Sequence, residues 1–285
     1  MDWDSHAADW PHAASSRFAL CKPHRWHIQE MGKGPLILLL HGAGGGTQSW
    51  CHLMPLLARG HKVVTVDLPG QGFTKNGAVQ RLGLVPMAQD LRTLCQDQGW
   101  TPSVIIGHSA GGALALEMAR YLSPAPRVIG INAALGNFRG PAGLLFPLIA
   151  KALYVTPFVA RFFTASVARP ASIDRLIDGT GSKLPPDDIR WYRAMISSES
   201  HVDATLGMMA QWNLNPLIDA LPNHPSPTLL IASSGDKTVP ASISEKVAAQ
   251  LPKGQFLGLE GYGHLVHEEA PKAVLDAILP FANSS

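Results

Sequence analysis

Apolar runs and amphipathic stretches alternate along most of the chain. The run Pro35–Leu40 is apolar throughout, which is typical of a strand buried on both faces of a parallel sheet. Further apolar or β-branched runs predict strands at 62–67, 104–106, 127–132, 227–233 and 254–260. Helical spacing predicts helices at 49–58, 84–99, 110–120 and 271–281. Strands that alternate with helices in this way indicate right-handed crossovers, so we expect an α/β fold with a mostly parallel, doubly wound sheet.

The N-terminal region departs from this alternation. Residues 17–21 and 24–29 alternate in polarity around Lys22-Pro23 and predict an antiparallel hairpin at the edge of the sheet. No carboxylate or cysteine stands at metal-ligand spacing from His24 or His27, so we interpret both as solvent-facing strand histidines. The preceding residues, 1–16, are acidic and His-rich and lack the positively charged and apolar regions of a signal peptide, so we expect a loose, polar lead-in.

A long insertion separates two of the predicted strands. About ninety residues lie between 132 and 227, far more than an ordinary connection. Pro, Gly and Asp breaks divide the insertion into predicted helices at 144–155, 158–168, 173–178, 186–197 and 202–213. We therefore expect core segments at 1–135 and 226–285, with a helical cap at 136–225. The cap would cover the C-terminal edge of the sheet, where ligands of open α/β sheets bind.

A strand, a tight turn and a helix are predicted to meet at Ser109. The sequence Gly107-His108-Ser109-Ala110-Gly111 has the form G-x-S-x-G, in which a strained turn projects a serine hydroxyl out of the sheet. Glycines at 107 and 111 would let the strand and helix approach closely. The amide of Ala110 would lie at a helix N-terminus, where an anionic oxygen is favoured. We predict a nucleophile at Ser109, with a plain turn serine as the alternative.

A glycine-rich loop, His41–Gly46, follows the strand at 35–40. It misses both nucleotide-binding patterns, because Thr47 occupies the last glycine position of G-x-G-x-x-G and no Lys-Ser/Thr pair follows. It does suit an oxyanion loop in which the amide of Ala43, beside Gly42, points at the oxygen that a serine attack generates. The alternative is a merely flexible loop.

A serine hydroxyl needs an imidazole to take its proton and an acid to orient that imidazole. His264 lies on a glycine-flanked loop after a predicted strand and is the predicted base, whereas His267 is interpreted as the start of the final helix. Asp236 follows a strand and is the predicted acid. Asp67 precedes Ser109 at a strand end and is interpreted as a structural loop residue.

Composition narrows the function classes. The charged fraction is 15% and the net charge is +2, so nothing in the overall charge favours nucleic-acid binding. The three cysteines, Cys21, Cys51 and Cys95, show no C-x-x-C spacing, which indicates a reducing, cytoplasmic setting. We interpret Cys51 as a small buried residue. We expect neither a metal nor a cofactor.

The expected cap contains an apolar and cationic region. No Asp or Glu occurs from Met118 to Ile173, while arginines, a lysine, leucines and phenylalanines are frequent there. This composition would be explained by helices that pack against the core while their Arg and Lys side chains extend to solvent. There are two alternatives. The region could make peripheral contact with an anionic membrane, or it could bind a large apolar ligand that carries carboxylates. Pro147, Lys151 and Pro157 interrupt the apolar run and exclude a transmembrane helix.

The cap also supplies candidates for a substrate pocket. Met208, Met209 and Trp212 share a helical face that would line the roof of the pocket, although such a stripe is also typical of a plain core. The complete predicted lining is Gly42, His108, Phe146, Met208, Met209 and Trp212.

Several of these motifs together resemble the α/β-hydrolase superfamily. They are His41-Gly42, Asp67-Leu68-Pro69-Gly70-Gln71-Gly72, the G-x-S-x-G pattern, Gly235-Asp236 and Gly263-His264. More narrowly, three short motifs resemble the magnesium-chelatase accessory proteins of bacteriochlorophyll synthesis: Arg25-Trp26-His27, Asp178-Gly179-Thr180-Gly181-Ser182 and Gly207-Met208-Met209-Ala210-Gln211-Trp212. This second resemblance implies a photosynthetic bacterium, a porphyrin-like ligand and magnesium chelatase as a partner. Gln71 and Ser233 depart from residues common in the superfamily, and neither departure removes a catalytic atom.

Two classes of function remain open. The first is a serine hydrolase that acts on an ester or thioester with a bulky apolar group, and cleavage of a carbon–carbon or peroxy bond by the same residues is not separable from it. The second is a non-catalytic porphyrin-binding or chelatase-assisting protein that retains the hydrolase fold. An epoxide hydrolase or dehalogenase is disfavoured, because those enzymes need Asp in place of Ser109.

Overall fold

The computed structural model describes residues 1–136, 164 and 170–284. The helices expected at 144–155 and 158–168, and Phe146, lie outside the described residues.

One sheet of eight strands organises the chain, in the order β1-β2-β4-β3-β5-β6-β7-β8. The first two pairs in this order, β1-β2 and β2-β4, are antiparallel, and the other five pairs are parallel. The expected edge hairpin and mostly parallel sheet are therefore confirmed. The strands are β1 Ser16–Cys21, β2 His24–Met31, β3 Leu36–Leu40, β4 Lys62–Val66, β5 Pro102–His108, β6 Arg127–Ile131, β7 Thr228–Ser233 and β8 Gly254–Leu259.

The α-helices are numbered here among the described residues only. Three precede the long insertion, four lie within it, and three follow it. They are α1 Met54–Leu57, α2 Leu84–Asp97, α3 Ala110–Ala119, α4 Pro170–Gly179, α5 Pro186–Ile196, α6 Glu199–Gln211, α7 Asn215–Ala220, α8 Ala241–Ala248, α9 Val266–Glu269 and α10 Pro271–Ala282.

The central strands are covered on both faces, as their continuous apolar sequences predict. Successive residues of β3 alternate between two core clusters, with Leu38 and Leu40 in one and Ile37 and Leu39 in the other. Helices α2, α3 and α8 contribute to the first cluster, and α1 and α10 to the second. The C-terminal ends of the parallel strands consequently meet at one rim, beside the insertion.

The N-terminal segment is packed against the core, so the expected loose lead-in is wrong. Trp10 is buried and its indole N–H donates to Thr47 Oγ1 at 3.1 Å. The ring of Trp3 packs edge-on against Phe73, with 4.9 Å between ring centroids. The ammonium of Met1 donates to the carbonyl of Gly72 at 2.9 Å. These aromatic residues cover the loop that follows β4.

The expectation that His24 and His27 face solvent is also wrong, because both side chains are fully buried. His24 Nε2 lies 3.1 Å from Asp90 Oδ2, and His27 Nδ1 lies 2.7 Å from Asp67 Oδ2. The two carboxylates come from distant parts of the chain, and each supplies the acceptor that a buried imidazole N–H requires.

None of the helices in the described part of the chain is long and apolar enough to cross a membrane.

Candidate active site

Ser109 occupies a strained turn between β5 and α3. Its φ and ψ are 52° and −118°, a conformation that non-glycine residues rarely adopt. A Cβ on Gly107 would lie 2.1 Å from the carbonyl oxygen of Gly111, and a Cβ on Gly111 would lie 2.1 Å from that of Leu40. The prediction that both glycines permit this close approach is confirmed.

The predicted acid and base are in direct contact. His264 Nδ1 lies 2.7 Å from Asp236 Oδ2, and the Asp236 side chain is fully buried. Asp236 Oδ1 accepts hydrogen bonds from the amides of Thr238 at 2.7 Å and Val239 at 2.9 Å. Because a carboxylate only accepts, the Nδ1 of His264 carries the hydrogen, and Nε2 is the nitrogen left with a free lone pair.

Ser109 and His264 line the same cavity, of about 540 Å³. Gly42, Ala43 and Gly44 form another part of its wall. Within the described residues, neither the Ala43 amide nor the Ala110 amide donates a hydrogen bond. The serine, the imidazole and the predicted oxyanion loop therefore border the same cavity.

The predicted pocket residues are divided between the cavity and the core. Gly42, His108 and Met209 line the cavity, and Phe146 lies outside the described residues. Met208 is buried in the main core, where its Sδ lies 3.2 Å from Gln71 Nε2, and Trp212 packs against the same core. Neither is among the described lining residues. Successive residues of α6 point in different directions, which separates Met208 from Met209.

The described lining is largely apolar and contains no Asp, Glu, Lys or Arg. Its apolar part comes mainly from α4, α5 and α6 of the insertion. Those residues are Leu176, Ile177, Ile196, Val202, Leu206 and Met209. The polar lining residues include Ser109, His108 and His264. This described wall suits an uncharged apolar group held next to a polar reaction centre.

The segment Asp178–Ser182 contacts the loops that carry the predicted acid and base. The carbonyl of Thr180 accepts from the amides of Lys237 and His264, both at 3.2 Å. Ser182 Oγ accepts from the amide of Leu265 at 2.8 Å. Sequence analysis singled out this motif only by resemblance, because contacts made by backbone atoms leave no pattern of side-chain chemistry.

Asn132, at the end of β6, is a further residue that sequence analysis missed. Its Nδ2 donates to the carbonyls of His264 at 2.8 Å and Gly263 at 3.1 Å, and its Oδ1 accepts from the amide of Ser233 at 2.8 Å. The side chain thus joins the His264 loop to β7. A polar residue directly after a buried strand was the signal available in the sequence. In the structure, Asn132 has a φ of 45°.

Asp67 lies behind the glycine-rich loop, outside the described cavity lining. Its Oδ1 accepts from the amide of Thr47 at 2.7 Å, and its Oδ2 accepts from the amide of Phe73 at 2.8 Å and from His27 Nδ1 at 2.7 Å. Burial alone would raise its pKa, but the His27 ring and these bonds outweigh burial and hold the pKa below its ordinary value. This arrangement agrees with the structural interpretation of Asp67.

His267 lies close to the site in α9, a short helix separate from the final one, so its interpretation as the start of that helix is wrong. Its ring centroid is 4.2 Å from that of His108, whose Nε2 donates to the carbonyl of His264 at 3.0 Å. Burial lowers the pKa of His267 to about 3 and places that of His108 well below its usual range. Both rings are therefore neutral near pH 7.

One group of described residues has the donor atoms of a metal site. Ligand-type atoms of Cys51, His52 and Asp188 lie within 4.8 Å of one another. His52 Nε2 is already paired with Asp188 Oδ2 at 2.8 Å, and burial raises the pKa of the Cys51 thiol, which disfavours the thiolate that a metal needs. Cys51 is buried, as expected. We assign no metal to this group.

Three features together define a class of protein. They are Ser109 in its strained turn, the contact between Asp236 and His264, and the mostly parallel sheet. The chain belongs to the α/β-hydrolase family, whose model, described as alpha/beta hydrolase fold, matches residues 35–271. It is 43% identical over 281 residues to the magnesium-chelatase 30 kDa subunit of Rhodobacter capsulatus, covering 98% of each chain.

Two further comparisons extend this likeness. A pimeloyl-[acyl-carrier protein] methyl ester esterase of Xanthomonas oryzae pv. oryzae is 28% identical over 243 residues, or 84% of this chain and 91% of that one. An alpha/beta hydrolase fold protein from Burkholderia ambifaria superposes with a TM-score of 0.76 at 23% identity, covering 93% of this chain and 97% of that one. The structural likeness shows the fold alone.

Proposed function

We propose that the protein is a serine hydrolase that cleaves an ester-type bond next to a bulky, uncharged apolar group. The observation that carries this proposal is the pair formed by Asp236 and His264, because His264 lines the cavity that Ser109 also lines. Asp236 fixes the tautomer of His264 and leaves Nε2 unprotonated, the state that a general base requires.

In the proposed reaction, His264 Nε2 takes the hydroxyl proton of Ser109 as the oxygen attacks the substrate carbonyl. The tetrahedral intermediate collapses when the protonated imidazole returns the proton to the departing alcohol oxygen, which leaves an acyl group on Ser109. Water, deprotonated by the same nitrogen, then releases the acid and restores the serine. Asp236 stays ionised and stabilises the imidazolium throughout.

The amides of Ala43 and Ala110 are the proposed donors to the carbonyl oxygen as it becomes negative. The Ala110 amide begins α3, where the unpaired N–H groups and the helix dipole favour an anion. The lack of other hydrogen bonds to these two amides within the described residues supports this role. A preoriented donor of this kind contributes about 3–4 kcal/mol of transition-state stabilisation.

The described lining supports an apolar, uncharged substrate group, since no ionised side chain there would balance a charge. The likeness to a methyl ester esterase makes small alkyl esters of a larger acyl group a sensible starting series. We further propose that the protein works together with magnesium chelatase in bacteriochlorophyll synthesis, which rests on the 43% identity to a magnesium-chelatase 30 kDa subunit.

That same identity favours a second candidate, a chelatase-assisting or porphyrin-binding role without hydrolysis. A fluorophosphonate probe separates the two candidates. The hydrolase proposal expects labelling at Ser109 in the wild type and none in Ser109→Ala, together with loss of pigment synthesis in cells that carry the variant. Normal pigment synthesis with Ser109→Ala, in cells that need the protein, would favour the non-catalytic role.

A further inference from the structure

His201, on helix α6 of the insertion, contacts the glycine-rich loop and is fully enclosed, with 1% of its surface exposed. Its Nδ1 accepts from the amide of Gly72 at 2.9 Å, and its Nε2 lies 3.2 Å from the carbonyl oxygen of Gly44. Because Nδ1 accepts a backbone N–H, Nε2 must carry the hydrogen and donate it to Gly44. One neutral imidazole thus joins α6 to two loops of the core.

A second imidazole, that of His41, also bonds to this loop. His41 Nε2 accepts from the amide of Leu68 at 2.9 Å, so Nδ1 carries the hydrogen and donates to the carbonyl of Gly42 at 2.7 Å. The carbonyls on either side of Ala43 are therefore each held by a buried neutral histidine. His41 directly follows β3, whereas His201 comes from the insertion.

Gln71 fixes the peptide between them. Its Oε1 accepts from the amide of Gly44 at 2.8 Å, which orients the Ala43–Gly44 peptide. Three consecutive peptides, from Gly42 to Gly45, are consequently held by side chains of three different segments. Gly44 has φ of +76°, so this tightly turned path depends on glycine.

Peptide planarity passes this restraint to the Ala43 amide. The Gly42–Ala43 bond is not among the cis bonds, so its C=O and N–H point in opposite directions. The Gly42 carbonyl is directed at His41 and at the amide of Gly45, which donates to it at 3.0 Å. The Ala43 N–H is therefore turned away from them, and its residue lines the cavity.

We propose that His201 is a positioning residue of the oxyanion loop, through which α6 holds the Ala43 amide in place for the reaction at Ser109. The inference rests on the proposed hydrolase function. His201 borders the cavity, and Val202, Thr205 and Met209 of the same helix form part of the cavity wall. One helix thus supplies the surface for the apolar substrate group and also aligns the donor for its carbonyl oxygen.

The test compares His201→Leu with His201→Gln. Leucine fills the space without hydrogen bonding, whereas glutamine retains one donor and one acceptor. His224 provides the matched control, because it is 2% exposed, accepts from the Ser226 amide at Nδ1 (3.3 Å) and donates from Nε2 to the Leu116 carbonyl (3.0 Å). It lies outside the described cavity lining. His224→Leu and His224→Gln complete the set.

Two rates are measured for each variant, fluorophosphonate labelling of Ser109 and hydrolysis of p-nitrophenyl esters, with thermal unfolding followed alongside. We expect His201→Leu to lower kcat and the labelling rate about 10- to 100-fold with KM changed less than about 3-fold. His201→Gln should recover most of the loss. The two His224 variants should keep the wild-type rates, whatever their melting temperatures.

Wild-type rates in His201→Leu, or an equal loss in His224→Leu, would overturn the positioning role while leaving the hydrolase proposal intact. Should His201→Leu fail to fold, His201→Ala decides the matter, because alanine also leaves the Gly44 carbonyl without its donor. Wild-type rates in His201→Ala would then overturn the positioning role. Failure of the wild type to label at Ser109 would overturn the hydrolase proposal and this inference together.

Discussion

The backbone amide of His264 donates to the carbonyl of Thr180 at 3.2 Å, so the insertion holds the loop that carries the proposed base. The same carbonyl accepts from Lys237, the residue after the proposed acid Asp236, also at 3.2 Å. Two loops from the ends of different strands are thereby tied to one point. Helices of the insertion line the cavity, and the Thr180 carbonyl connects the loops that carry the proposed acid and the proposed base.

Gly181→Ala should break this tie. Gly181 has φ of +84°, and a Cβ there would lie 2.2 Å from the carbonyl oxygen of Gly235. We expect a loss of about 3 kcal/mol or more in the free energy of unfolding, and a lower rate of Ser109 labelling. Gly179→Ala is the control, because a Cβ there meets no atom within 4 Å. Equal behaviour of the two variants in urea unfolding would contradict the prediction.

Ser109→Gly and Ser109→Ala should both abolish labelling but differ in stability. Alanine retains the strain of a residue with φ of 52°, whereas glycine adopts such angles without a Cβ clash. We expect Ser109→Gly to be more stable than Ser109→Ala by about 1 kcal/mol in chemical unfolding. The reverse order would show that the turn is not under strain.

Asp236→Asn should disturb the tautomer of His264 without removing the ring. The carboxamide can donate to Nδ1, which moves the ring hydrogen to Nε2 and removes the basic lone pair from the cavity side. We expect kcat to fall by about 10³- to 10⁴-fold with a small change in KM. Asp276→Asn, at an exposed position on α10, is the control. A loss below about tenfold would argue against Asp236 as the orienting acid.

Acid should destabilise the fold through its buried histidines. Burial lowers the pKa of His201 to about 4 and of His267 to about 3, below the value near 6.5 of an unfolded histidine. The unfolded chain therefore binds protons first, and stability falls as pH drops below about 6.5 and on through pH 4 to pH 3. Each group contributes roughly 3–5 kcal/mol to the full loss.

His267→Phe tests this attribution. Among the described residues, neither ring nitrogen of His267 has a hydrogen-bond partner, so an apolar ring forfeits no bond there. We expect the variant to lose less stability than the wild type between pH 6.5 and pH 4, measured by urea unfolding at several pH values. If the free energy of unfolding of the variant depends on pH in the same way as that of the wild type, the proton uptake belongs to groups other than His267.

Sequence alone was sufficient for the parts of the fold that local chemistry dictates. Runs such as Pro35–Leu40 contain no polar residue that could face solvent, so the strands they form must be buried on both faces of the sheet. Likewise, Gly107 and Gly111 predict a tight turn, because a side chain at either position would clash with the neighbouring backbone. Asp236 and His264 were identified because each follows a strand whose end must reach the same rim.

Features that depend on distant partners were missed. The alternating pattern of β2 predicts one exposed face, but His27 finds its carboxylate in Asp67 and is buried there. The helical spacing of apolar residues in α6 predicts an apolar face, but it does not predict whether Met208 on that face contacts the core or the cavity. Thr180 acts through a backbone carbonyl, which every residue has, so its side chain gives no indication of the contact.

The uncharged wall formed by α4, α5 and α6 has a calorimetric consequence. Transfer of an apolar ligand group from water into this cavity removes hydrocarbon surface from solvent, which gives the association a negative heat-capacity change. The enthalpy of association should therefore become steadily more favourable on warming, while the affinity changes little with ionic strength.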